Sequence, residues 1–268
     1  MTTLAGAHLI ITGGSEGIGL ATARAAARKG ASVSLISRGE EKLIQAASQV
    51  GGECDYATAD VGDPVATSLA IAKLVERQGP CDILLCCAGY AVPGYFDELA
   101  VEEFERHMRV NYLGAVHAIR AVTPAMRSRR RGHILVTSST AGVIGVFGYS
   151  AYSPTKFALR GLAEVIRSET VAHGVNVGII YPPDTKTPGF DRENLVKPRE
   201  TAAISGSIQP ITAEKMADRI ITGIEKNSFQ IFADPTTALL ARASGLIGPV
   251  LRRQLDRTVA RAGERSPR

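Results

Sequence analysis

The chain has 268 residues, of which 45% are hydrophobic and 21% charged, and this composition excludes a disordered polypeptide. Its net charge of +5 arises beyond residue 235, where seven arginines are offset only by Asp256 and Glu264, so the balanced remainder gives no reason to expect nucleic-acid binding. The four cysteines have neither metal-site nor disulfide spacing, which predicts reduced thiols, a cytoplasmic protein and no metal site.

Short apolar runs alternate with helical stretches along the whole chain. The runs at 8–12, 32–37, 54–61, 82–89, 132–139 and 175–181 predict strands. Strands of this kind, separated by helices, predict a parallel sheet with helices on both faces, which is an α/β doubly wound Rossmann fold. We predict one α/β domain at 1–235, a substrate loop at 182–210 over the sheet's carboxyl edge, where ligands bind in such folds, and a basic C-terminal helix or tail at 236–268.

The first predicted strand runs into the glycine-rich sequence TGGSEGIG at 12–19. Its glycines allow the backbone to turn tightly and to approach a pyrophosphate at the N-terminus of the next helix. The acidic side chain in this loop is expected to point outward. The residues predicted to bind cofactor here are Gly13, Ser15, Glu16, Gly17, Ile18 and Gly19.

The end of the second strand indicates which dinucleotide is bound. Folds that prefer NAD place an acidic side chain there to hold the ribose 2′-hydroxyl. This chain instead has Arg38, with Lys42 one helical turn later, and these cations suit a 2′-phosphate. We therefore predict NADP(H), with two merely solvated cations as the alternative. Asp60 is predicted to accept from the adenine amino group, and Val61 lies beside it.

The sequence YSPTK at 152–156 carries the strongest catalytic signal. Tyr152 and Lys156 are four residues apart and share one helical face. A nearby cation favours the phenolate, so we expect Lys156 to lower the pKa of Tyr152 and to make it a general acid/base for a carbonyl or alcohol. Ser139 ends a predicted strand where its hydroxyl can reach the same oxygen. Asn111 lies in a helical stretch, where a buried amide needs a polar partner.

Taken together, TGGSEGIG, the AG of CCAG, NYLG, the SS strand end and YSPTK resemble the short-chain dehydrogenase/reductase family over residues 5–190. The resemblance implies that Tyr152 donates the proton and that Lys156 also binds the nicotinamide ribose. It implies that Ser139 holds the substrate carbonyl and that Asn111 supports a water-linked proton path. Further cofactor contacts implied by the family are those of Cys86, Ala88, Gly89, Tyr152, Lys156, Pro182 and Thr187. We place Cys86 where the family usually has asparagine.

The loop YPPDTKTPGF at 181–190 and the following ENLVKPRET resemble one branch of that family, which reduces 3-ketodihydrosphingosine with NADPH at a membrane surface. The resemblance implies a reductase of a long-chain 3-keto lipid. Another keto lipid, a hydroxysteroid or a small alcohol stays open as substrate, and so does a non-catalytic NADP-binding scaffold. Lys186 departs from the acidic residue that we expect at its position in this branch.

Two further expectations concern partners. The helices around 101–122 and 152–173 resemble those through which the family forms homodimers or homotetramers. The stretch at 238–251 is too short to span a membrane and contains Arg242 and Pro249. We expect the tail either to contact anionic lipid peripherally or to pack on its own domain or a subunit partner.

Overall fold

A computed structural model of the protein describes residues 1–206 and 209–264. Residues 207–208 of the predicted substrate loop and Arg265 and Arg268 of the predicted tail therefore lie outside the described residues. The sheet contains seven parallel strands in the order β3-β2-β1-β4-β5-β6-β9. These strands are β1 His8–Thr12, β2 Ser32–Ser37, β3 Cys54–Thr58, β4 Ile83–Cys86, β5 Gly132–Thr137, β6 Val175–Tyr181 and β9 Gln230–Phe232, and β7 Thr185–Lys186 pairs separately with β8 Ile211–Thr212.

Ten α-helices surround and extend this sheet in the described part of the chain. They are α1 Gly17–Ala27, α2 Glu40–Val50, α3 Pro64–Gln78, α4 Val101–His107, α5 Gly114–Ser128, α6 Tyr152–Thr170, α7 Pro188–Asn194, α8 Arg199–Ser205, α9 Ala213–Glu225 and α10 Pro235–Glu264. Between α4 and α5 the chain passes through a π-helical turn, Met108–Leu113. The predicted doubly wound α/β fold is confirmed, since helix lies between each successive pair of strands of the seven-stranded sheet.

The alternation of side chains along each strand builds two apolar cores, one on each face of the sheet. Leu9 and Ile11 pack with α1, α2 and α9, whereas Ile10 packs on the other face with α3, α5 and α6. All three side chains are fully buried, as a parallel sheet covered on both faces requires. The chain reverses its direction of winding at β1, which lies between β2 and β4. In such a sheet the ligand crevice opens at this reversal, outside the carboxyl ends of the strands.

The segment predicted as an irregular substrate loop contains regular structure. β7 pairs in parallel with β8, and α7 and α8 lie between them. α7 begins after Thr187, whose hydroxyl oxygen accepts a hydrogen bond from the Phe190 amide, and Pro188 occupies the first helical turn. A capping threonine followed by proline is a strong helix start, so Thr187 and Pro188 initiate a helix within the predicted loop.

The basic C-terminal segment forms α10, which packs against α8 and β9. Pro249 lies inside this helix. Across residues 1–206 and 209–264, no helix combines the length and the apolar character that a membrane span requires.

Candidate active site

The glycine-rich loop forms a cradle at the N-terminus of α1. Gly13 has a φ of +73°, and a Cβ atom there would lie 2.6 Å from the amide nitrogen of Ala88. A Cβ atom on Gly19 would lie 2.2 Å from the carbonyl oxygen of Gly13. Both positions therefore require glycine, because the loop, β4 and α1 approach each other through backbone. Such a cradle at a helix N-terminus fits a pyrophosphate.

The end of β2 fits the adenosine part of a phosphorylated dinucleotide. Arg38 is exposed, and its guanidinium makes no ion pair with any described residue. The adjacent Ser37 hydroxyl is buried and has no hydrogen-bond partner among the described residues. A free cation beside an unsatisfied hydroxyl suits a ribose 2′-phosphate. Asp60 uses one carboxylate oxygen to accept from the Gly62 amide at 2.9 Å, and Val61 is buried next to it.

We expected the Glu16 side chain to point outward. Its carboxylate lies between two cations. Lys42 on α2 contacts its carboxylate at 2.9 Å, and Arg192 on α7 contacts the other oxygen. Partial burial would raise the pKa of Glu16, but the hydrogen bonds from Arg192 and Lys42 outweigh that effect and hold the pKa below its ordinary value. Lys42, predicted as a cofactor ligand, is therefore already paired. Arg192 was not predicted from the sequence.

The cysteine that lies on the cofactor side of the sheet is Cys87, and the prediction that named Cys86 is wrong. Cys86 is the last residue of β4, and its thiol points into the core toward the Ala115 carbonyl of α5. Cys87 directly precedes Ala88 and Gly89 and packs on the opposite face, with α1. Side chains alternate between faces along a strand, so a shift of one residue moves the thiol from one face to the other. Burial raises the pKa of Cys87 above its ordinary value, and Lys156 opposes this.

Tyr152 and Lys156 lie together on the first turn of α6, as their spacing predicts. The Lys156 Nζ atom is 5.4 Å from the centroid of the Tyr152 ring and donates a hydrogen bond to the Thr137 carbonyl oxygen at 2.9 Å. The Lys156 side chain is buried, and this burial lowers its pKa to about 8. The pair therefore adopts the predicted arrangement at the end of β5.

The pKa of Tyr152 does not move in the direction that we expected. Burial raises it, the negative charge of Glu193 raises it further, and only the hydrogen bond with Ser139 lowers it appreciably. The charge of Lys156, whose ammonium donates to the Thr137 carbonyl, is not among the main influences on this pKa. The phenol is thus held in its protonated form, which is the form that donates a proton.

Ser139 and Asn111 are positioned by turns. Ser139 does not end a strand, because β5 stops at Thr137; it caps a short 3-10 turn, and its hydroxyl oxygen accepts from the Ala141 amide. Asn111 lies in the π-helical turn, where it accepts from the Tyr90 amide at 3.0 Å and donates to the Tyr90 carbonyl at 2.9 Å. The polar partner that the sequence demanded is thus the backbone that follows Gly89.

The remaining predicted residues lie around the exit of β6. The Pro182 carbonyl accepts from the Thr140 amide at 3.2 Å, which joins this exit to the turn that carries Ser139. The methyl group of Thr187 would lie 3.1 Å from a Cβ atom built on Gly17, so Thr187 stands beside the phosphate cradle. The structure therefore brings the residues predicted for the nicotinamide and for the pyrophosphate to one crevice.

Four side chains near Tyr152 were not predicted from the sequence: Tyr149, Asp184, Glu193 and Lys197. The Tyr149 ring centroid is 5.6 Å from that of Tyr152, and its hydroxyl donates to Glu193. Glu193 also forms an ion pair with Lys197 at 2.9 Å. The spacing of four residues between Glu193 and Lys197 was a usable signal for an ion pair, although Lys197 lies beyond the end of α7; nothing local connects that pair with Tyr149.

The chain is similar to known reductases in sequence. The family model described as short chain dehydrogenase matches residues 7–196. A 3-dehydrosphinganine reductase from Danio rerio is 40% identical over 258 residues, which cover 92% of this chain and 77% of the relative. A 3-ketodihydrosphingosine reductase from Bos taurus is 42% identical, covering 84% of this chain and 70% of the relative. One from Dictyostelium discoideum is 38% identical, covering 92% and 80%.

Solved structures of low sequence identity share the fold. A short-chain dehydrogenase/reductase from Burkholderia phymatum, solved in complex with NAD, has a TM-score of 0.84 at 21% identity and covers 94% of this chain and 97% of its own. Levodione reductase has a TM-score of 0.80 at 22% identity, with 87% and 98% covered. These matches show that the fold is shared over most of the chain.

Proposed function

Because the chain belongs to the short-chain dehydrogenase/reductase family, we propose that it is an NADPH-dependent reductase that converts a long-chain 3-keto lipid, of the 3-ketodihydrosphingosine type, to the 3-hydroxy product. Family membership makes the chain an oxidoreductase that acts on a ketone or alcohol and uses NADP(H) with a small-molecule substrate. The observation that carries the lipid substrate is the similarity to 3-dehydrosphinganine reductase across 92% of the chain. The preference for NADPH over NADH is supported by the free Arg38 guanidinium and the unsatisfied Ser37 hydroxyl.

The residues present fit the dinucleotide. The cradle of Gly13, Gly17 and Gly19 would hold the pyrophosphate, Arg38 the 2′-phosphate, and Lys156 the nicotinamide ribose. When bound, NADPH supplies the hydride that the ketone carbon receives. Thr187, beside the cradle, would orient the carboxamide of the nicotinamide.

The proton comes from Tyr152 in this proposal. Its phenol is kept protonated by burial, and it donates to the substrate oxygen as the carbonyl becomes an alcohol. Ser139 would hold that oxygen, since its hydroxyl also bonds the Tyr152 phenol. The phenolate left behind is stabilised by Ser139 and by the Lys156 ammonium. Asn111 would act as a positioning residue that fixes the backbone after Gly89 and supports the water path by which Tyr152 regains its proton.

The direct test is oxidation of NADPH, and separately of NADH, by the purified protein with 3-ketodihydrosphingosine. We expect turnover with NADPH and much weaker turnover with NADH. The other open substrates, namely another keto lipid, a hydroxysteroid and a small alcohol, form the comparison panel. Absence of NADPH oxidation above background with 3-ketodihydrosphingosine, together with turnover of another member of the panel, would overturn the lipid assignment. No turnover of any of them would favour the non-catalytic scaffold.

Three expectations stay predictions: assembly into a homodimer or homotetramer, peripheral lipid contact through the basic tail, and a cytoplasmic location. The packing of α10 against α8 supports the alternative for the tail, in which this helix docks on its own domain. The exposed Leu239 and Val250 side chains on the same helix support a contact with lipid or with a second subunit.

A further inference from the structure

A network of largely buried polar side chains lies beside Tyr152, between the N-terminus of α6 and α7. Tyr149, whose ring is 5.6 Å from that of Tyr152, donates from its hydroxyl to Oε1 of Glu193. Lys197 contacts the same oxygen at 2.9 Å, and Phe190 covers the Lys197 ammonium at 4.6 Å from the ring centroid. The Glu193 side chain is only 15% exposed and that of Lys197 only 3%. A carboxylate is thus held next to the proton donor in a largely desolvated place.

This network has unused capacity for a cation. No hydrogen bond from residues 1–206 or 209–264 reaches Oε2 of Glu193, because the Tyr149 hydroxyl and the nearest approach of Lys197 both involve Oε1. The carboxylate of Asp184 is half-buried and has no hydrogen bond or ion pair with any described side chain. Both carboxylates lie close enough to Tyr149 and Tyr152 to raise their pKa values. Among the described residues Lys197 contacts Glu193 and no cation contacts Asp184, and a desolvated carboxylate without a partner is costly.

We propose that Asp184 and Glu193 hold the ammonium group of the substrate and so select a β-keto amine over a ketone that lacks the nitrogen. The inference rests on the proposed function and deepens it, because it names the group that the site reads. In a β-keto amine the ammonium nitrogen is two bonds from the carbonyl carbon. An ammonium site must therefore border the group that touches the carbonyl oxygen, and that group is Tyr152.

Lys186 stands where the sequence resemblance led us to expect an acidic residue, and its position in the structure is compatible with an ammonium site. A cation facing an ammonium substrate would repel it, but Lys186 is exposed in β7, whereas Thr185 before it is buried. The acidic charge that we expected at position 186 is supplied from two other positions. Asp184 comes from the exit of β6 and Glu193 from α7.

The test compares two substrates that differ only in the nitrogen: 3-ketodihydrosphingosine and its analogue with hydrogen in place of the amino group. The variants are Glu193→Gln and Asp184→Asn, which keep the shape of the side chain and remove its charge. Glu200→Gln is the matched control, because Glu200 lies on α8 and accepts a hydrogen bond from the Tyr95 hydroxyl at 3.0 Å. The Glu200→Gln variant therefore alters a similar contact between a tyrosine and a carboxylate in the same region of the chain.

The wild-type protein is expected to have the higher kcat/KM with the amine. Each charge-removing variant at 184 or 193 should reduce that preference by about tenfold to 100-fold, as loss of a charge-assisted hydrogen bond predicts. Glu200→Gln should leave the ratio between the two substrates unchanged. Calorimetric binding of the matching long-chain amino alcohol, against the alcohol without nitrogen, gives the same comparison without turnover and should show the same loss in the variants.

Two outcomes overturn the inference and are distinguishable from failure of the proposed function. If Glu193→Gln and Asp184→Asn alter kcat/KM for both substrates by the same factor, the network merely fastens α7 and the reductase assignment stands. If the wild-type protein reduces the analogue as well as the amine, the site does not read the nitrogen. Absence of turnover with either ketone, combined with absent binding of the amino alcohol, overturns the proposed function together with the inference.

Discussion

At the scale of single residues, the surroundings of Tyr152 favour the protonated phenol that the proposed function requires. Burial and the nearby carboxylates keep Tyr152 protonated. Ser139 and Lys156 are placed to stabilise the phenolate that would form when the proton is lost. A reduction requires this order, since the phenol must be neutral before the step and charged after it. The raised pKa is therefore compatible with catalysis, although the sequence predicted the opposite shift.

Removal of that phenol should abolish most of the activity. Tyr152→Phe is expected to lower kcat by about 100-fold to 10,000-fold, the usual contribution of a positioned general acid. The dissociation constant for NADPH should change little, because the variant keeps Lys156 and the glycine cradle. Steady-state turnover and fluorescence titration of NADPH measure the two quantities. Unchanged kcat in Tyr152→Phe would contradict the assigned proton donor.

In the proposed function, the preference for NADPH over NADH depends on Arg38. Arg38→Asp should weaken NADPH binding by about tenfold to 100-fold and leave NADH binding nearly the same, since only NADPH carries the 2′-phosphate. Arg28→Asp is the control, because Arg28 is an exposed cation at the C-terminal end of α1, whereas the glycine cradle lies at the N-terminal end. Titration of both cofactors against both variants gives the ratio of affinities. A ratio that Arg38→Asp leaves at the wild-type value would remove the 2′-phosphate assignment.

At the scale of elements, the π-helical turn between α4 and α5 is what carries Asn111 to the backbone of Tyr90. A π-helical turn contains one residue more than an α-helical turn. In an ordinary α-helix through 101–128, every residue after this point would lie on a different helix face, so the extra residue decides where the Asn111 amide points. Asn111 then satisfies both the N–H and the C=O of one residue in the crossover after β4. The turn thus connects the helix pair with the cofactor side of the sheet.

Loss of this connection should be visible in stability as well as in turnover. Asn111→Ala leaves the Tyr90 amide and carbonyl without their partner and should lower the free energy of unfolding by about 1–3 kcal/mol, with a reduced kcat. Asn176→Ala is the control, because the Asn176 side chain on β6 makes no hydrogen bond within the described residues. Urea denaturation of the two variants measures the difference. Equal stability of Asn111→Ala and wild type would mean that the contact is not formed in solution.

The elements also show how far sequence reasoning reaches. Five of the six predicted strands are buried apolar runs, and β3 is a partly buried run between two helical stretches, whereas β9 has three residues and is too short to show a pattern. The π-helical turn could not be predicted, since one extra residue per turn barely alters the spacing of apolar residues. Prolines in the 182–210 segment indicated where regular structure breaks but not that α7 and α8 form between the breaks. The Tyr149–Glu193 contact joins residues 44 positions apart, and only the fold brings them together.

At the scale of the whole molecule, buried histidines link stability to pH. His133 lies in β5 between β4 and β6 and is fully buried, and this burial lowers its pKa from 6.5 to about 4. Its Nε2 atom has no hydrogen-bond partner among the described residues, so a proton there would add a charge and an unsatisfied donor. Burial also lowers the pKa values of His8 and His107. All three side chains therefore favour the neutral form in the folded protein.

The sign of the pH dependence follows from proton binding. Between about pH 4 and 6.5 the unfolded chain binds a proton at His133 that the folded protein does not, so the free energy of unfolding should fall as the solution is acidified through this range. The loss from His133 alone is on the order of 3 kcal/mol, and it should level off below about pH 4. Urea denaturation at a series of pH values measures it. His133→Asn should flatten the slope, whereas replacement of the exposed His173 by asparagine should leave it intact. His8 and His107 should leave a smaller residual slope in His133→Asn, and a slope equal to that of the wild type would assign the acid sensitivity to groups other than His133.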